Sequence, residues 1–200
     1  MTSDLAADRR QLRTLLRGHR RALPPATRMA AAEQLATHLL SMPIAPSQGY
    51  VAGYWAMDGE IALHAWQLRL PPGCVYCLPV LGDDDRLRFA PWRSGDALVT
   101  NRLGIPEPDL APESLLDACQ LTLAVMPLVG FDASGQRLGM GGGWYDRTFA
   151  FRRDRPAPPF LVGAAFDVQR VEALASADWD VPVDGVCTES TFFDCRKVPA

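Results

Sequence analysis

Apolar positions recur along this chain with two periods. At the N-terminus Leu5, Leu12, Leu15 and Leu16 fall near one stripe at 3.6 spacing and predict a helix over 4–21. Pro24 and Pro25 stop it. A second helix is predicted over 26–41, with Ala30, Leu35, Leu39 and Leu40 as its apolar face. Short, continuous apolar runs then take over, as expected of strands buried on both faces. They are GYVAGYWA (49–56), CVYCLPVL (74–81), LRFAPW (87–92), LTLAVMPLV (121–129), FLVGAAF (160–166) and DGVCTE (184–189). Helices are predicted between them at 61–70, 144–153 and 168–177. Gly82 to Asp85 reads as a turn, and 95–112, with Gly104, Pro106, Pro108 and Pro112, as an irregular loop. Alternating β and α elements predict a three-layer α/β/α sandwich with a mostly parallel sheet. At 200 residues, with no repeat and no long linker, a single domain over 1–200 is expected.

Composition narrows the chemistry. The chain is 48% hydrophobic and 22% charged, the balance of a globular protein. No apolar run reaches the roughly 18 residues of a membrane span. The first 21 residues lack the apolar stretch of a secretory leader, so the cytoplasm is the expected location. Five cysteines, an odd number, suggest reduced thiols. Lys197 is the single lysine, so a Walker loop or Schiff base has only a C-terminal tail residue to use. His19, His38 and His64 are the only histidines, which gives little support to a serine hydrolase or a polyhistidine metal site. Residues 1–28 hold seven arginines against Asp4 and Asp8, while the remainder is acidic. Such an arm suits nucleic acid, ligand phosphates or a solvated helix face. The acidic body argues against a nucleic-acid surface.

The glycine-rich segment 131–143 is the strongest candidate for chemistry. Gly139, Gly141, Gly142 and Gly143 lie between a predicted strand and a predicted helix, where backbone N–H groups can cradle phosphate. Arg137 and Arg147 flank the loop and suit phosphate oxygens. A tight packing turn is the alternative reading. Asp146, one turn beyond, suits either Mg²⁺ or the helix dipole. Asp178, Asp180 and Asp184 form a second acidic group, read as a further metal ligand or as turn and cap chemistry. Glu60 follows a strand at a position suited to meeting a ligand. Cys74 and Cys77 form a C-x-x-C, but within a strand they face opposite sides, so a structural role is expected.

RLGMGGGWYDR (137–147) resembles the signature of the 5-formyltetrahydrofolate cyclo-ligase, or methenyltetrahydrofolate synthetase, family. RRQLR (9–13), YWAMDGEI (54–61), GIPEP (104–108), AFDVQ (165–169) and DWDVPVDGVCTE (178–189) are similar to other family segments in the same order. The resemblance implies a fold related to the sugar-phosphate isomerase and CoA-transferase type. It also implies ATP- and Mg²⁺-dependent cyclisation of 5-formyltetrahydrofolate, with or without a polyglutamate tail, to 5,10-methenyltetrahydrofolate, releasing ADP and phosphate. By position, Arg9 and Arg13 would meet ATP phosphates. Arg137, Leu138, Gly139, Met140, Gly141, Gly142, Gly143, Trp144 and Tyr145 would form the nucleotide loop. Met140, Gly141, Gly142, Gly143 and Trp144 would also face folate, with Trp55 and Glu60. Asp146 and Asp180 would hold Mg²⁺, and Arg137 and Arg147 would act in catalysis. A monomer is expected, with no nucleic-acid or membrane partner. The chain departs from the family pattern in three places. Arg9 replaces a usual lysine, Met140 a frequent aromatic, and Trp179 a histidine common in bacterial relatives. Alternatives are a non-catalytic folate- or nucleotide-binding relative, a sugar-phosphate or CoA-ester enzyme, and a nucleic-acid-binding protein using the basic arm.

Overall fold

The computed structural model describes residues 2–197; the side chains of residues 2–7, Leu5 among them, and of Lys197 lie outside what it describes. Two helices open the chain, α1 (Thr2–Ala22) and α2 (Pro25–Ser41). Pro25 sits in the first turn of α2, where its missing N–H costs nothing. The buried face of α2 is Ala31, Leu35, Ala36 and Leu39; the predicted Ala30 is exposed. In α1, Leu12 and Leu16 face inward, while Leu15 is 54% exposed.

A seven-stranded sheet follows. Its strands are β1 (Gln48–Ala52), β2 (Gly73–Leu81), β3 (Leu87–Pro91), β6 (Leu121–Pro127), β9 (Phe160–Ala164), β10 (Gly185–Cys187) and β11 (Phe192–Asp194). Two small hairpins complete the set, β4 (Leu98–Thr100) with β5 (Pro106–Pro108), and β7 (Gly130–Phe131) with β8 (Arg137–Leu138). The sheet order is β11-β10-β9-β6-β1-β2-β3. The five inner strands run parallel, and β3 and β11 are antiparallel edges.

Alternation along the strands separates two cores. Val51, Leu123, Val125 and Val162 pack towards α2 and α3 (His64–Leu68), where Trp66 is buried. Ala52, Ala124, Met126 and Leu161 pack the opposite way, onto Phe131, Phe149 and Val186. Cys77 joins this second core and Cys74 packs against the first, so the C-x-x-C is split across the sheet.

Three expectations need correction. The helix predicted over 168–177 is a single 3-10 turn, Asp167–Gln169, followed by extended chain. Tertiary bonds capture that backbone: Val171 N–H donates to Phe131 O at 2.9 Å and Leu174 N–H to Asp132 Oδ2 at 2.8 Å. The helix predicted over 144–153 is one α turn, α4 (Trp144–Thr148), and then a 3-10 turn, Ala150–Arg153. The loop over 95–112 contains the β4–β5 hairpin, whose prolines are tolerated on an edge.

The topology places the site. From β1 the chain proceeds to β2 on one side, whereas β6 leads to β9 and β10 on the other. The segments leaving the C-terminal ends of β1 and β6 therefore diverge and leave a crevice, where open α/β sheets bind ligands.

Candidate functional site

A cleft of about 670 Å³ occupies this crevice, a size suited to a small organic ligand. α1, the loop after β1 and the glycine segment beyond β6 form most of its wall, joined by residues of β2, β3, the β4–β5 turn and the Asp180 segment.

The loop after β1 is shaped by local turn chemistry. Met57, Asp58, Gly59 and Glu60 form a tight turn, with Asp58 at φ 53° and Gly59 at φ 77°. Two successive left-handed residues define a type I′ turn and account for the Asp-Gly pair. Glu60 N–H donates to Met57 O at 2.9 Å, and Met57 N–H donates to Glu60 Oε2 at 3.0 Å. Tyr54 donates its hydroxyl hydrogen to Ile61 O at 2.6 Å and closes the loop at its base. Trp55 lies in the cleft wall and packs edge-on against Trp92, centroids 5.8 Å apart. Burial pushes the Glu60 carboxyl above the usual range, opposed by the Met57 N–H and by Arg20 and Arg17.

The glycine segment forms the opposite wall. Gly139, Met140, Gly141, Gly142, Gly143, Trp144, Tyr145 and Asp146 all line the cleft. Gly143 adopts φ 67° where the chain enters α4, a conformation that favours glycine. Because α4 has only five residues, its dipole contributes less than the predicted ten-residue helix would. Anion binding here depends on the loop backbone and the arginines. Arg13 donates from Nε to Gly139 O at 2.8 Å, holding the helix arm against the loop. Burial lowers the Arg13 pKa, with neighbouring Arg9 adding to the effect.

Two carboxylates line the same end. Asp146 Oδ1 accepts from Arg137 Nη2 at 2.6 Å and from Val181 N–H at 3.2 Å, while its Oδ2 makes no hydrogen bond among the described residues. Asp180 Oδ2 accepts from Arg9 Nη1 and from Ala177 N–H, both at 2.9 Å. No cluster of three or more His, Cys, Asp or Glu side chains suited to a metal occurs among the described residues. A hard cation would thus take at most these two carboxylates and complete its shell with phosphate oxygens and water. That donor set fits Mg²⁺.

The structure gathers most of the sequence candidates. Arg9, Arg13, Trp55, Glu60, Arg137, Gly139 to Asp146 and Asp180 share one cleft. Arg147 and Leu138 are not among the lining residues. Arg147 is exposed, donates to Asp85 O at 2.8 Å and lies over the Trp144 ring at 5.3 Å. Leu138 is buried in a small core with Leu16 and Val129. Arg137 is itself buried and also donates to Val181 O at 3.0 Å, so it ties the glycine segment to the Asp180 segment. Of the flanking acids, Asp184 is held by Arg152 at 3.1 Å and Leu161 N–H at 2.7 Å, and Asp178 is exposed; neither lines the cleft.

Other lining residues were not singled out by the sequence as site residues. Asn101, Leu103 and Ile105 come from the β4–β5 hairpin, within a segment read as irregular. Asp58 and Tyr54 were legible only as a turn and a strand residue. Arg20, fully buried beside the cleft, was indistinguishable from the solvated arginines around it.

Comparison with known proteins places the chain in a family. The model of the 5-formyltetrahydrofolate cyclo-ligase family matches residues 5–189. A relative from Escherichia coli K12, named 5-formyltetrahydrofolate cyclo-ligase, is 38% identical over 184 residues, covering 90% of this chain and 100% of its own. One of the same name from Haemophilus influenzae is 35% identical over 179 residues, covering 88% and 94%. The solved structure of Aquifex aeolicus 5,10-methenyltetrahydrofolate synthetase superposes with a TM-score of 0.80 at 26% identity, covering 96% of this chain and 95% of that one. With Arg137 and Gly139 to Asp146 of the signature segment lining one cleft at the switch point of the sheet, the chain belongs to the 5-formyltetrahydrofolate cyclo-ligase family.

Proposed function

We propose that this chain is a 5-formyltetrahydrofolate cyclo-ligase that closes 5-formyltetrahydrofolate to 5,10-methenyltetrahydrofolate, with ATP as co-substrate and Mg²⁺ as the assisting ion. The observation that carries the proposal is the union of two chemistries in one cleft. One part, with Trp55, Glu60, Leu81 and Ile105, suits a flat heterocycle with polar edges. The other, with Arg9, Arg13, Gly139 to Gly143, Asp146 and Asp180, suits a polyphosphate.

The residue types fit the reaction. A formamide oxygen is a poor leaving group. Transfer of the terminal phosphoryl group of ATP to that oxygen makes it a good one, and attack by folate N10 closes the ring as phosphate departs and the N10 proton is released to solvent. Phosphoryl transfer asks for positioning and charge neutralisation more than for a covalent nucleophile. Arg9 and Arg13 would meet phosphate charge, and the glycine backbone would donate N–H groups. Glu60 would accept from N–H groups on the pterin edge, and Trp55 would fix the ring plane. Asp146 and Asp180 would hold Mg²⁺, which neutralises phosphate charge when bound. A cytoplasmic monomer is the matching physiological form. No helix among the described residues is long and apolar enough to cross a membrane.

The test is to mix purified protein with Mg-ATP and 5-formyltetrahydrofolate and follow the near-ultraviolet band of the methenyl product. Product that requires all three components supports the proposal. Binding of both ligands without product would favour a non-catalytic relative, and neither binding nor turnover would overturn the reading.

A further inference from the structure

Arg20 is the only arginine among the described residues that is completely buried, and nothing in the reaction outlined above uses it. Burying an unpaired guanidinium is costly, so its partners are informative. Nε donates to Asp58 O at 3.0 Å, Nη2 to Asp58 Oδ2 at 2.8 Å, and Nη1 to Leu128 O at 3.3 Å. Nη2 also lies 3.6 Å from Glu60 Oε1. One side chain thus joins α1, the loop after β1, and the exit from β6. Leu128 O is shared with Gln169 Nε2 at 2.7 Å, which fixes that exit from its other side. Asp58 is the counter-ion of the assembly: it also accepts from Arg17 Nε at 2.7 Å and pairs with exposed Arg21.

We propose that Arg20 is a positioning residue whose buried guanidinium holds the Glu60 carboxyl group aimed into the cleft, with Asp58 restraining the strength of that grip. The proposal rests on the reading of Glu60 as the acceptor for the pterin edge. Its geometry is that of a divided guanidinium. The shorter contacts go to Asp58, and the looser one leaves Glu60 free to serve a ligand. The groups facing Glu60 are Arg20 and Arg17 from α1, Tyr54 from the exit of β1, Tyr145 from α4, and the Met57 N–H of its own loop. Tyr54 is buried and Tyr145 half-buried, and desolvation raises the pKa of both phenols, so they stay neutral. Among the described residues, Arg20 and Arg17 are the cations that act on Glu60. Asp58 competes for both, through the hydrogen bonds just described.

Opposite signs follow for two substitutions. Removing the cation in Arg20→Gln raises the acid limb of kcat/KM for folate by about one pH unit, as expected for losing an opposite charge within about 4–6 Å. It raises KM for folate more than KM for ATP. Asp58→Asn removes the competing carboxylate and moves the same limb to lower pH. Arg20→Lys keeps the charge and returns the limb towards wild type. A merely structural Arg20 predicts lower thermal stability in all three variants with an unmoved limb. Two limbs that stay put, or that move the same way, overturn the proposal.

Titration of the Glu60 carboxyl by carbon-13 NMR gives the comparison without turnover, and Arg20→Lys with Asp58→Asn serve if Arg20→Gln fails to fold. An unchanged Glu60 titration in the folded variants also overturns the proposal. Shifts of opposite sign in a wild-type protein that makes no methenyl product would sustain the Arg20 assignment and refute the functional reading instead.

Discussion

Replacing Asp146 separates its two roles. The carboxylate is proposed as a Mg²⁺ ligand through Oδ2, yet Oδ1 already holds Arg137 at 2.6 Å and Val181 N–H at 3.2 Å. The side chains of Asp146 and Arg137 are only 19% and 6% exposed, so solvent replaces these bonds poorly. Asp146→Ala therefore strands a buried guanidinium and a backbone donor. The cost is about 3 kcal/mol, taking a charge-assisted bond and an unsatisfied group together. In a chain of this length that lowers Tm by roughly 6–12 °C. Asp146→Asn keeps an Oδ1 acceptor and loses only charge assistance, costing about 1 kcal/mol and roughly 2–4 °C. Both variants lose the proposed metal oxygen. Thermal unfolding and a Mg²⁺ titration of methenyl formation should therefore dissociate. The alanine variant is clearly less stable than the asparagine variant, while both need far more Mg²⁺ than wild type. A wild-type Tm in the alanine variant would refute the tether. A wild-type Mg²⁺ requirement in the folded asparagine variant would remove Asp146 from the metal site.

Three further outcomes are expected. Phe149 is fully buried, stacks on Tyr145 at 6.4 Å and meets Phe89 at 6.0 Å, so Phe149→Ala costs about 3–5 kcal/mol in chemical denaturation and loosens one wall of the cleft; a loss below about 1 kcal/mol would contradict this packing. Glu60 has its folded pKa raised from an ordinary value of 4.5, so the folded state holds the proton more tightly and the stability from this group is lost as pH rises above that value through the folded pKa; unfolding free energies measured from acid to neutral pH should fall less in Glu60→Gln than in wild type, and an equal or steeper fall would reverse the assignment. Arg147→Ala should retain near wild-type turnover while Arg13→Ala loses most of it, because Arg13 lines the cleft and Arg147 serves the Asp85 turn; steady-state kinetics showing the reverse would return Arg147 to the site.

What the sequence disclosed follows from how local each signal was. Leu121 to Pro127 was legible because a continuous apolar run between turn signals has few alternatives to a buried strand. Glu60 was legible because acids just beyond parallel strands face the ligand side of the sheet. The segment 168–177 misled because its alanines, leucine, glutamine and glutamate suit a helix, whereas Phe131 and Asp132 supply distant partners for its backbone. The edge strand Phe192–Asp194 was missed because three residues carry no period, and it exists only by pairing with Gly185–Cys187. Arg20 and Asp58 were invisible for a related reason. An arginine within a basic helix reads as solvated until the loop that buries it is in place. Arg147 stood correctly in the motif, but the side-chain direction that takes it to Asp85 depends on the β2–β3 turn, 62 residues away.

The central claim is that ATP energy enters through the formyl oxygen of the folate. Labelling that oxygen with oxygen-18 and analysing the released phosphate by mass spectrometry tests it most directly. The account predicts one labelled oxygen in each phosphate formed, in step with methenyl product. Label recovered in water, with unlabelled phosphate, would contradict it.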